Sequence, residues 1–121
     1  MKNMRCLFVV VLLFLLAGCN GQGILDFERE ITIKESIYGD TVYTSLVIRN
    51  RSNDTLGLTV IPECDCTVVF PESVQLKPRS RQKVKIAYYV NTVSYYEKMI
   101  YLECEKTGVI DTVVIRGNVQ K

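Results

Sequence analysis

Cysteine supplies the softest and most nucleophilic side chains of this sequence, and histidine is absent altogether. Without histidine, Ser-His and Cys-His nucleophile pairs and most catalytic zinc sites are excluded. Cys64 and Cys66 stand two apart, so an extended segment sends both thiols to one side. Cys104 shares the parity of Ile100 and Leu102 and is expected at the core or its rim. In an oxidising compartment three thiols allow one disulfide and one leftover. A bridge from Cys64 or Cys66 to Cys104 would close a loop of about forty residues, which chain entropy values at ~4 kcal/mol. A Cys64–Cys66 bond would close only a tight ring, with little entropic gain. Two further readings stay open: a three-thiolate soft-metal site such as Cu(I), or free thiols packed as small hydrophobes. The Cys64/Cys66 pair is expected near the surface at one end of the domain, with Cys104 reaching it or not.

Other residues carry polar chemistry. Lys77, Arg79, Arg81, Lys83 and Lys85 recur with period two, while Val84 and Ile86 take the alternate register. Where extended, these cations share a face and offer an anionic contact: lipid headgroup, lipopolysaccharide phosphate or acidic partner. The plainer reading is edge protection, because lysine on an outer strand blocks edge-to-edge pairing. Tyr88, Tyr89, Tyr95, Tyr96 and Tyr101 crowd one region, as strand packing or as an interaction surface. Asp40-Thr41-Val42, Asp54-Thr55-Leu56 and Asp111-Thr112-Val113 resemble the Asp-Ser/Thr-apolar acceptor of Bacteroidetes O-glycosylation, making Thr41, Thr55 and Thr112 candidate acceptors. Asp also suits turns and Thr strand starts, so folding alone accounts for the repeat equally well. Paired carboxylates at catalytic spacing, a phosphate-cradling glycine loop and a serine with a plausible base are all missing. The expectation is a non-enzyme without cofactor or metal.

The front end reads as an address. Lys2 and Arg5 precede an apolar run from Cys6 to Ala17. As a helix this run spans only ~18 Å, short of a ~30 Å hydrocarbon core. Leu16-Ala17-Gly18-Cys19 resembles the lipobox of bacterial lipoproteins. That resemblance implies cleavage before Cys19, a diacylglycerol on its thiol and an acylated amine, and more than one chain gives stable anchoring. An ordinary secretory signal ending near Gly18 would instead leave a soluble protein. Asn20 stands where lipoproteins retained in the inner membrane carry aspartate, which points to an outer-membrane anchor facing the periplasm. The expected organisation is a signal peptide over 1–18, a lipidated Cys19 with tether over 19–24, and one domain over 25–121.

Those addresses matter to the charge count. The chain carries fifteen Lys and Arg against thirteen Asp and Glu. Lys2 and Arg5 are two of the fifteen, so the cleaved chain has no net side-chain charge. Net neutrality argues against a general nucleic-acid binder.

The elements that must position these residues are strands. Phe27, Ile31 and Ile33 mark a first one. Val42, Leu46 and Ile48 alternate with Tyr43, Ser45 and Arg49. Asn50-Arg51-Ser52-Asn53-Asp54 is a turn, followed by strands at 56–60, 67–70, 74–76, 84–88, around 100–102 and 109–119. With turn signals at roughly 8–12-residue spacing and no room for a crossover helix, this is an all-β chain. The expected fold is an Ig-like two-sheet antiparallel β-sandwich of about seven to nine strands, preceded by an N-terminal signal-peptide helix.

Leu46-Val47-Ile48-Arg49-Asn50, Leu56-Gly57-Leu58-Thr59-Val60, Glu63-Cys64-Asp65-Cys66-Thr67, Val74-Gln75-Leu76-Lys77-Pro78 and Ile115-Arg116-Gly117-Asn118-Val119 resemble, in that order, the bacterial domain-of-unknown-function family numbered 1573. The resemblance spans roughly residues 40–120. It implies an Ig-like sandwich in a Bacteroidetes lipoprotein. Two positions depart from the family: Asp65 stands where glycine is usual, and Pro78-Arg79-Ser80 where a Pro-Gly-acid turn is usual. The expected function is an acyl-anchored envelope lipoprotein whose Ig-like module binds or scaffolds. Its partners would be the membrane, through Cys19, and an unnamed envelope protein or glycan, with no nucleic acid. The alternative is a thiol-redox or soft-metal protein using Cys64, Cys66 and Cys104.

Overall fold

The computed structural model describes residues 23–120; the expected signal helix and Cys19 lie outside the described residues. Among the described residues nine strands form two sheets. Sheet A holds β1 (Leu25–Asp26), β3 (Thr41–Asn50), β7 (Arg81–Tyr89) and β5 (Thr67–Phe70), in the order β1-β3-β7-β5. Sheet B holds β2 (Glu30–Ile37), β9 (Ile110–Gln120), β8 (Tyr96–Cys104), β4 (Leu56–Pro62) and β6 (Ser73–Leu76), in the order β2-β9-β8-β4-β6.

The period-two pattern builds these sheets. In β3 and β7, Leu46, Ile48, Val84, Ile86 and Tyr88 point inward and are buried, while their neighbours face water. Sheet B answers with Leu56, Leu58, Val60, Ile100, Leu102, Val113 and Ile115 to close a single core. Tyr88 of sheet A and Tyr96 of sheet B meet across it, ring centroids 4.7 Å apart. Burial, then the neighbouring Tyr96, pushes the Tyr88 phenol above its usual pKa, with a smaller opposing pull from Asn91.

The sandwich is antiparallel except at one pair. β2 lies parallel to β9, with Ile31 opposite Ile115 and Ile33 opposite Gly117. The single expected strand through Phe27, Ile31 and Ile33 is split: β1 pairs with β3, then the chain crosses at Phe27–Arg29 and continues in the same direction as β2. A chain that keeps its direction while changing sheets lands beside β9, which runs the same way.

The two positions that depart from the pattern the sequence resembles behave differently. Asp65 keeps an ordinary negative φ, so the cysteine loop does not require glycine there. Arg79 takes a φ of 60°, and the Lys77 carbonyl accepts from the Ser80 N–H across the turn at 3.2 Å. There the side chain occupies a left-handed backbone that glycine adopts freely and other residues adopt at a cost.

Beneath this turn sits Asn50, fully buried. Its amide donates to the carbonyls of Asp54 (2.7 Å), Leu76 (3.0 Å) and Lys77 (3.1 Å). Its oxygen accepts from the Ser52 N–H (2.9 Å) and hydroxyl (2.7 Å). One side chain thus closes three backbone segments at one pole of the sandwich.

Candidate functional site

The strand registers bring the cationic ladder onto the outer face of sheet A. Arg81, Lys83 and Lys85 all face outward from β7. Lys77 and Arg79 do not continue this row, because the Lys77–Ser80 turn precedes β7 and breaks the alternation. Nor is β7 an edge: it is flanked by β3 and β5, so its lysines do not serve as edge blockers.

Neighbouring strands add residues that the ladder alone did not reveal. Across from β7, Tyr43 opposes Ala87, Ser45 opposes Lys85, Val47 opposes Lys83 and Arg49 opposes Arg81. On the other side Val68 opposes Ala87 and Phe70 opposes Lys85. Tyr43, Val68 and Phe70 are 78%, 64% and 70% exposed, high for large apolar side chains in paired strands. With Lys83, Lys85 and Ala87 they line a shallow concavity of about 440 Å³. The outward parity of Tyr43 was visible in the sequence; that of Val68 and Phe70, on a strand that buries Thr67 and Val69, was not, nor was which strands lie beside β7.

Positive charge predominates on this face. The strands of sheet A carry Arg49, Arg81, Lys83 and Lys85, with Asp26 as their sole carboxylate. Arg49 and Arg81 stand directly opposite each other, and Asp26 and Glu28 line a second shallow concavity beside them. Among the described residues none of these four cations makes a salt bridge, whereas on sheet B Arg116 lies 3.1 Å from Glu30 and 3.8 Å from Glu97.

Cys64 and Cys66 occupy the loop joining β4 to β5, at the pole opposite Asn50. The loop is tied to both sheets: Glu63 N–H donates to the Met99 carbonyl (3.0 Å), and Tyr89 N–H to the Cys66 carbonyl (2.8 Å). The two cysteines form a disulfide with α-carbons 5.3 Å apart. Cys104 is free and buried, sharing its inward face with Ile100 and Leu102. It pairs with Leu58, whereas the cysteine loop adjoins Met99, five residues away along β8. At ~3.4 Å per residue that separation is far beyond disulfide reach, so the long-range bridge and the three-thiolate site are both ruled out by geometry. Among the described residues no group of three or more His, Cys, Asp or Glu could hold a metal. Cys104 should therefore resist alkylation in the native protein and react once it is unfolded. Reducing Cys64–Cys66 should lower stability by less than about 2 kcal/mol, because so short a loop gains little chain entropy. Thermal melts with and without reductant check this.

The remaining candidates are dispersed. Thr41 is exposed at the start of β3, Thr55 is exposed before β4, and Thr112 is half-buried within β9 opposite Tyr101. Only the first two sit at the turn-to-strand boundary expected for all three. The tyrosines also divide: Tyr88 and Tyr96 are core, Tyr89 and Tyr95 are exposed, and Tyr101 is half-buried on sheet B.

Comparison with known proteins places the fold. The seventh ASH/PapD-like domain of human CEP192 superposes with a TM-score of 0.64 at 15% identity, covering 81% of this chain and 84% of that one. A protein of unknown function from Porphyromonas gingivalis W83 gives a TM-score of 0.65 at 15% identity, covering 79% of this chain and 46% of that one. WR4, an MSP family member of C. elegans, gives 0.57 at 10% identity, covering 82% and 100%. At such identities the likeness is one of fold alone. No curated protein matches the sequence. The family profile described as HYDIN/CFA65/VesB-like, Ig-like domain matches residues 23–118, and the chain belongs to that Ig-like family.

Proposed function

We propose that this chain is an acyl-anchored lipoprotein of the bacterial envelope, and that its Ig-like sandwich is a non-enzymatic binding module presenting the outer face of sheet A. The observation that carries the reading is that face: exposed Tyr43, Val68 and Phe70 beside unpaired Arg81, Lys83 and Lys85. Such a mixture of apolar area and fixed charge suits recognition of a partner. The Leu16-Ala17-Gly18-Cys19 resemblance to a lipobox supports the anchor, and the ordered likeness to family 1573 supports the lipoprotein class. Asn20 in place of aspartate supports an outer-membrane address.

Cell fractionation tests the anchor. The wild-type protein is expected in the detergent phase, and Cys19→Ala in the aqueous phase or trapped as precursor. Equal partitioning of both as cleaved proteins of the same size would overturn the anchored reading.

A second reading, thiol exchange, is favoured by one observation: the Cys64–Cys66 pair is bonded on a partly exposed loop. Activity toward a disulfide-bonded peptide, lost in Cys64→Ser, would support it over the binding module.

A further inference from the structure

Charge in this domain is sorted by sheet. Against the cationic strands of sheet A, sheet B carries Glu30, Glu35, Glu97, Glu103 and Asp111 with only Lys34, Lys98 and Arg116 among its strands. Net neutrality of the cleaved chain therefore conceals a basic face and an acidic face on opposite sides of one sandwich.

The point where the chain enters this sandwich gives the polarity a direction. β1 is an edge strand of the basic sheet, with Leu25 opposite Asn50 and Asp26 opposite Arg49. The Ile24 carbonyl accepts from the Arg51 N–H at 2.8 Å, which fixes the entry at the pole formed by the turns after β3 and before β7. Arg51, Lys77 and Arg79 lie in those same turns, with Asp54, paired to Lys106, as the one carboxylate in them. The opposite pole carries Asp40, Glu63 and Asp65 in its loops. The chain thus approaches from its most cationic corner.

We infer that the basic outer face of sheet A, with the Arg51, Lys77 and Arg79 pole, docks onto the anionic headgroups of the bilayer that holds the lipid. The inference rests on anchoring through Cys19. Residues 19–24, even fully extended, reach only about 20 Å, so an anchored domain stays beside the bilayer whatever else it meets. Within that distance Arg49, Arg81, Lys83 and Lys85 are drawn to anionic lipid while the carboxylates of sheet B are repelled, which selects one orientation. Tyr43, Val68 and Phe70 extend from the same face, and aromatic side chains suit the headgroup level because they combine apolar area with, in tyrosine, a polar tip.

The test uses the lipidated full-length product bound to vesicles of phosphatidylcholine, alone or with one-third phosphatidylglycerol, and measures the rate of amine labelling at each lysine. On the anionic vesicles Lys77, Lys83 and Lys85 should label at least about fivefold more slowly, the effect expected for roughly one cation's attraction to the surface. Lys34 and Lys98 on sheet B should not change, and high salt should restore the lost labelling. Replacing Lys83 and Lys85 by Glu should abolish protection at Lys77 without releasing the protein. Protein that floats with both vesicle types yet labels equally at Lys83 and Lys85 overturns the docking and leaves the anchor standing. Protein that floats with neither overturns both. Protection that appears only when an acidic protein is added overturns the lipid assignment.

Discussion

Asn50→Asp is expected to remove much of the domain's stability at neutral pH, although the two side chains differ by one heavy atom. The amide nitrogen of Asn50 donates to three carbonyl oxygens, at Asp54, Leu76 and Lys77. A carboxylate would aim an oxygen at all three from a site with no solvent access. Removing a buried donor network and burying an uncompensated charge together cost about 4 kcal/mol or more, against a total stability of roughly 5–15 kcal/mol for a domain of this size. The sign of the pH dependence follows. Those carbonyls favour the protonated acid, so the folded-state pKa of the new carboxyl rises above its unfolded value of about 3.9. The variant should then regain stability below that value and lose it as pH rises through the folded pKa. Urea melts at pH 4 and pH 7 measure both parts. Asn50→Ala, which leaves the carbonyls unpaired without adding charge, should be milder, at about 2–3 kcal/mol.

Gly117→Ala is the second large effect, and it arises from contact rather than hydrogen bonding. Gly117 is buried in β9 between β2 and β8, opposite Ile33 on one side and Tyr96 on the other. An added Cβ would stand 2.6 Å from the Tyr96 oxygen, 2.8 Å from its ring carbon and 3.1 Å from the Ile33 carbonyl oxygen. Tyr96 has little room to retreat. Its hydroxyl is hydrogen-bonded to Ser36 at 2.8 Å, and its ring packs on Tyr88. Overpacking of this kind costs about 1–3 kcal/mol, with loss of the Ser36 bond adding about 1 kcal/mol. Tyr96→Phe alone should be modestly destabilising, yet it should rescue part of the Gly117→Ala defect by removing the nearest atom. A double-mutant cycle read by chemical denaturation shows the coupling; purely additive losses would mean the two residues do not meet.

These two residues also mark where sequence reasoning stopped. Asn50 was legible as a turn residue, because Asn commonly bonds nearby backbone, and its Ser52 contacts fit that role. Its bonds to Leu76 and Lys77 were not legible, since they depend on a turn twenty-six residues away folding back over it. The strands themselves were readable from period two, as Leu46, Ile48, Val84 and Ile86 illustrate. Parity likewise put Cys104 with Ile100 and Leu102. Strand order was not readable, because parity says which way a side chain points and nothing about which strand lies beside it. For that reason the β7 lysines suggested an edge and instead lie between β3 and β5. The companions Tyr43 and Phe70 came into view only with the registers.

The same limit applies to the front of the chain, where a motif and a length argument carry the anchor. Its most direct test is intact-mass analysis of protein extracted from the envelope without prior labelling. The account predicts a polypeptide beginning at Cys19, heavier than its sequence by a diacylglyceryl group and an amide-linked acyl chain; further hexose-sized increments would show that glycans are attached as well. An aqueous-phase protein with a free, unmodified Cys19 thiol would contradict the central claim that this Ig-like module is held at the membrane by lipid.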